Sequence, residues 1–298
     1  MLRSMYAGIS GMKGMQTKLD TIGNNIANVN TSGYKKGRVT FQDMMSQNLS
    51  AAEGPLAERG GINPSQVGLG SQLGTIDNIH TQGNRQTTNR PLDLSLEGDG
   101  MFVLGEGDLT TTNSTATSLT GMDAELSYTR AGNFYLDNDG YIVNADGKYV
   151  IGENATYDTD ANGDLTVQPG TQYNPIQIDP SAQSFSIQTD GTVKFIDQNG
   201  NSQTAGQIQI AKFSNPGGLQ KTGANNYTNT DNAGLVDNLI VPGEEGAASI
   251  VSGSLEMSNV DLAEEFTEMI TAQRGFQANT RIITTSDEIL QELVNLKR

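Results

Sequence analysis

The two ends of this chain carry apolar stripes of helical period, far apart in sequence, and any fold must find cover for both. From Leu2 to Val29 the apolar positions Leu2, Met5, Ile9, Met12, Leu19, Ile22, Ile26 and Val29 recur at gaps of three, four or seven, the period of an α-helix. Near the other end Leu262, Met269, Phe276, Ile283 and Leu290 keep a strict seven-residue repeat, reinforced by Phe266, Ile289 and Leu293. One helix pair leaves much of that apolar surface uncovered, so the pattern points to self-assembly more than to an active site. Two long helices packed as the base of a single closed domain satisfy the same pattern.

The spacing predicts a first helix from Leu2 or Ser4 to Asn28, although Gly8, Gly11, Gly14 and Gly23 each weaken it by roughly 1 kcal/mol relative to alanine. Thr31, Ser32 and Gly33 supply its stop. A last helix is expected from Asn259 or Asp261 to Leu296, with Asp261 as N-cap and Glu264 three residues on as in a capping box. At about 1.5 Å per residue it is roughly 50 Å long, more than a domain of this size needs for its own core.

Between the helices the period changes to two: Leu92, Leu94 and Leu96, then Phe134 and Leu136, Tyr141 and Val143, Phe185 and Ile187, Val193 and Phe195, Ile208 and Ile210. Alternation of this kind makes strands with one buried face. The pairs Asp99-Gly100, Asp139-Gly140, Asp146-Gly147, Asp190-Gly191 and Asn199-Gly200 punctuate them as hairpin turns. The expected fold is therefore α+β, with the long N- and C-terminal helices pairing as a coiled-coil-like stalk and a central antiparallel, mainly β domain. Its expected parts are residues 1–30 and 259–298 (terminal helices), 31–74 and 251–258 (extended connector, with a short helix around Phe41 to Gln47) and 75–250 (outer β domain). Stretches 108–120 and 225–246 read as polar surface loops.

Glycine supplies 35 of 298 residues and hydrophobic residues only 35%, against a usual glycine share of about 7%, so the cores are thin and turns abundant. A net charge of −16 and a pI near 4.3 argue against nucleic acid or anionic membrane as partner. Cysteine is absent, which excludes disulfides and thiolate metal sites. No apolar run is long enough for membrane insertion or a cleaved leader, so another route is expected to carry the chain if it leaves the cell.

Chemistry-bearing patterns are weak. Asp158, Asp160, Asn162, Gly163 and Asp164 imitate the front of a calcium loop, but Pro169 stands where a bidentate glutamate is required, so a plain Asx-rich turn is the expected reading. The sole histidine, His80, has no motif partner, and Gly68, Gly70 and Gly74 lack the lysine and hydroxyl residues of a phosphate loop. Catalytic residues, cofactors and metal ligands are accordingly expected to be none.

The run LDTIGNNIANVNTSGYKK from Leu19 to Lys36 and the run from Leu255 to Leu296 resemble the two signature ends of the bacterial flagellar rod and hook family. LDLSLEGDGMFVL (Leu92 to Leu104), YTRAGNFYLDNDG (Tyr128 to Gly140) and AQSFSIQTDG (Ala182 to Gly191) extend the likeness over most of the chain. The likeness is nearest to the hook proteins of Gram-positive bacteria, with distal rod proteins second. It implies a homopolymer, a curved hollow tube acting as a universal joint between rod and filament, outside the cell. It also implies delivery by the flagellar type III export apparatus, with the distal rod, hook cap and hook–filament junction proteins as neighbours. The expected self-assembly interface comprises Leu2, Met5, Ile9, Met12, Leu19, Ile22 and Ile26 with Leu262, Phe266, Met269, Phe276, Ile283, Leu290 and Leu293.

Overall fold

A computed structural model describes residues 2–55, 59–106, 125–159, 165–234, 239–244 and 246–296. The fold is α+β: helices α1 (Leu2–Ala27) and α2 (Leu262–Leu296) stand at the two ends, with antiparallel strands between them. The chain divides into two compact units, one of residues 1–29, 36–79 and 260–298 and one of residues 30–35 and 80–259.

In the first unit α1 and α2 pack against each other. They run antiparallel, since Gly8 lies against Ile283, Gly11 against Asn279 and Met15 against Gly275. Asp261 starts α2 by accepting the Ala263 amide on Oδ1 at 2.8 Å. Two of the glycines that weaken α1 on propensity grounds have a packing role: a methyl at position 11 would sit 2.7 Å from Asn279 and one at position 14 would sit 2.9 Å from the Phe41 ring.

The stretch expected as an extended connector folds on itself. Strand β1 (Gly37–Asp43) pairs with β4 (Ser71–Asn78), and β2 (Ser46–Ser50) pairs with β3 (Ser65–Gly68), all antiparallel. A bridge between Glu53 and Ile62 continues the pairing outward into one long two-stranded arm. The expected short helix at Phe41 to Gln47 is thus corrected to strand. Phe41, Met45 and Leu49 have helical spacing, but their backbone finds cross-strand partners about fifteen to thirty residues ahead, which local period cannot reveal.

The second unit is built on an antiparallel sheet in the order Ser184–Ile187, Thr192–Ile196, Ser202–Ile208, Tyr149–Thr159, Met101–Glu106, Glu125–Thr129, Asn226–Thr228, Gln220–Gly223. Its middle strand is buried on both faces: Phe102 and Leu104 join one apolar cluster with Leu94, Leu96 and Phe134, while Met101 and Val103 join another with Tyr128 and Tyr227. Both clusters therefore anchor on one continuous apolar run. Four hairpins share one turn. In each, the first residue's amide donates to the carbonyl four positions on, and a left-handed glycine (140, 147, 191 or 200; φ 81–83°) closes it. This is the three-residue loop with a glycine bulge that Asx-Gly pairs favour.

Candidate assembly surface and buried charge cluster

The helix pair leaves part of its apolar stripe unused. Of the residues expected at the interface, Ile22 is buried, and Met5, Ile9, Met12, Leu19 and Ile26 on α1 are half-covered, as are Met269, Phe276, Ile283 and Leu290 on α2. Leu262, Phe266 and Leu293 remain 40%, 50% and 49% exposed, while the side chain of Leu2 lies outside the described residues. Ile289 is likewise exposed, and Ile270, Ile282 and Val294 add exposed apolar surface to α2 that the repeat does not mark. The arm adds more, with Met45, Leu49, Ile62, Leu69, Leu73 and Ile76 all exposed. Exposed apolar residues thus concentrate on one helix and one ribbon.

What α2 does bury is partly polar. Glu265, Ala272 and Ser286 are its buried residues. Glu265 accepts from Asn25 Nδ2 at 3.2 Å, and Asn25 also bonds both backbone groups of Gly37, donating to its carbonyl at 2.9 Å and accepting its amide at 3.0 Å. Burial raises the Glu265 carboxyl above its ordinary range, opposed by the Asn25 hydrogen bond and the Lys36 charge. Glu264, expected to close a capping box, is engaged by Lys36 Nζ at 2.8 Å, and Lys18 meets Glu268 at 3.1 Å. Asn25–Glu265 and Lys18–Glu268 thus join the two helices by polar contacts.

The second unit holds a cluster that sequence spacing does not reveal. Glu256, 1% exposed, takes Lys35 Nζ on Oε1 at 2.5 Å and Arg130 on Oε2 at 3.1 Å, with Lys35 fully buried and Arg130 4% exposed. The Gly83 amide donates to the same carboxylate at 3.0 Å. Lys35 Nζ also donates to the Thr81 carbonyl at 2.8 Å, and Arg130 to the Gly98 carbonyl at 2.7 Å. Burial lowers the Lys35 ammonium from its ordinary value, and Glu256 opposes that shift. His80 lies beside this cluster, its ring 5.5 Å from that of Tyr227. Lys35, Arg130 and Glu256 belong to three of the segments that carry the family resemblance, and the fold brings them to one point.

Among the described residues no group of three or more acidic or imidazole side chains is placed to hold a metal. The calcium-like loop falls largely outside them, at residues 160–164. Among the described residues no helix is long and apolar enough to cross a membrane.

Comparison with known proteins places these features. Three family descriptions match: "Flagella basal body rod protein" over residues 5–35, "Flagellar hook protein FlgE/F/G D1 domain" over 117–195, and "Flagellar basal body rod FlgEFG protein C-terminal" over 251–296. The flagellar basal-body rod protein FlgG of Bacillus subtilis is 52% identical over 298 residues, covering 100% of both chains. The chain belongs to the flagellar basal-body rod and hook family. Membership makes it a structural protein of the flagellum and not an enzyme.

The relatives do not confirm the expected hook subunit, and the most similar of those compared are rod proteins. FlgG of Caulobacter vibrioides is 35% identical over 301 residues, covering 99% of this chain and 100% of the relative. The hook protein FlgE of Borreliella burgdorferi is 32% identical with both chains fully covered, but that alignment runs to 459 positions. Rod proteins thus match this chain length for length, whereas that hook protein carries a large amount of sequence with no counterpart here. The hook expectation rested on the two ends and the central segments together, and rod and hook relatives both match this chain over its full length.

Proposed function

We propose that this chain is the distal rod subunit of the flagellar basal body, polymerising into a straight hollow shaft that transmits torque. The observation that carries this reading is the 52% identical, length-for-length match to a rod protein, where the alignments to the two spirochaete hook proteins run to 459 and 480 positions at 32% and 28% identity. The exposed apolar residues of α2 and of the arm support polymerisation, because surface of that kind is costly for a monomer to leave in water. In the polymer the terminal helices line the tube, and Leu262, Phe266 and Leu293 pack against neighbouring copies. The half-covered positions, Met269, Phe276, Ile283 and Leu290 among them, hold the helix pair together. The chain reaches this place through the flagellar type III export apparatus, and its neighbours are other axial proteins of the rod and hook.

Electron microscopy of basal bodies from cells lacking the gene tests the assignment. Basal bodies truncated within the rod, with no hook, are the expected result. Intact rods missing only the hook would overturn it in favour of a hook subunit.

A further inference from the structure

The Glu256 cluster is placed where the second unit begins and ends. Residues 30, 35, 80 and 259 bound the segments of this unit, and each segment is tied to the cluster or its immediate partners. The Gly33 amide donates to the Glu256 carbonyl at 2.8 Å. Lys35 and Gly83 meet the Glu256 carboxylate, the Met257 amide donates to the Asn84 carbonyl at 2.8 Å, and Asn259 Nδ2 donates to Thr81 Oγ1 at 2.9 Å. Strand Ser254–Glu256 pairs only with Arg85–Thr87, in a two-stranded ladder separate from the main sheet. The contacts that join these segments at Glu256 are ion pairs and hydrogen bonds, whereas the contacts on the two faces of Met101–Glu106 are apolar.

We propose that the Lys35–Glu256–Arg130 cluster is a latch that closes the ends of the β unit and opens independently of its core. Two buried cations share one carboxylate, so the latch is stable only while that charge is present. Removing one partner from a buried ion cluster leaves the other charges uncompensated. The apolar clusters on either side of Met101–Glu106 do not depend on that carboxylate, so the unit has two regions of different local stability. Under denaturant the chain ends yield first and the core second. This inference concerns the single chain and stands apart from whether it builds rod or hook.

Hydrogen exchange on the full-length chain, wild type against Glu256→Gln, tests the latch. The glutamine keeps the shape and removes the charge. Amides of Gly33, Gly83 and Met257 are expected to exchange about a hundredfold faster in the variant, with amides of strand Met101–Glu106 unchanged. Lys35→Met, which leaves the Arg130–Glu256 pair, is expected to give a smaller acceleration, about tenfold, at the same three amides. Unchanged exchange at those amides would overturn the proposal. So would equal acceleration in the central strand, or failure of both variants to fold, because each makes the cluster inseparable from the core.

Discussion

His80 gives the account a test with a number attached. Its ring nitrogens are buried without a hydrogen-bond partner among the described residues. Burial first, then the charges of Lys35, Arg130 and Lys221, lower its pKa from 6.5 to about 4. In the unfolded chain the imidazole takes up a proton below pH 6.5, whereas the folded chain refuses it until about pH 4. Between those values the unfolded state binds more protons, so stability rises with pH through that window and is flat above it with respect to this group. A shift of this size corresponds to roughly 3 kcal/mol at 1.36 kcal/mol per unit, and to about 2 kcal/mol after allowance for the part of the ring that water reaches. As the only histidine, it gives a single imidazole signal in proton NMR, and urea unfolding at pH 4.5, 5.5 and 7 gives the stability. His80→Phe is expected to remove most of the slope between pH 4.5 and 6.5, leaving what the carboxylates contribute. An imidazole titrating at pH 6 or above in the folded chain would refute the reasoning, because a ring so placed cannot be charged at neutral pH beside three cations.

Glycine positions supply further predictions. Gly23 has nothing within 4 Å of the place a methyl would occupy, so Gly23→Ala is expected to raise stability by about 1 kcal/mol through helix propensity alone. Gly14→Ala meets the Phe41 ring and is expected to lose about 1–3 kcal/mol despite the same propensity gain; chemical denaturation of both variants followed by circular dichroism checks the opposite signs. At Gly132 a methyl would fall 1.7 Å from the Leu94 carbonyl oxygen. Gly132→Ala is expected to cost more than about 4 kcal/mol or to prevent folding, and soluble yield with thermal unfolding of what remains measures it.

Much of this fold is legible in the sequence because the signals are local. The seven-residue repeat from Leu262 to Leu290 and the stripe from Leu2 to Val29 mark helices that form, Asp261 caps α2 as its position suggests, and the Asx-Gly pairs at 139–140, 146–147, 190–191 and 199–200 each make the same bulged turn. The arm is not legible, because Phe41, Met45 and Leu49 fall at helical spacing and their ladder partners lie far ahead. Nor is the latch: Lys35, Arg130 and Glu256 are ordinary charged residues until the fold removes them from water. On α2 the repeat locates the seam but not the exposed face, since Ile270, Ile282 and Val294 stand outside it. Glu265 also lies in that seam, where an apolar pattern gives no reason to look for a carboxylate.

The central claim, that apolar residues left open on α2 are covered by neighbouring copies, is most directly tested by thiol labelling, since the chain has no cysteine of its own. With Phe266→Cys, half exposed in the single chain, a maleimide probe is expected to react fully with purified monomer and to be excluded once the variant is built into basal bodies. Equal labelling before and after assembly would contradict the account.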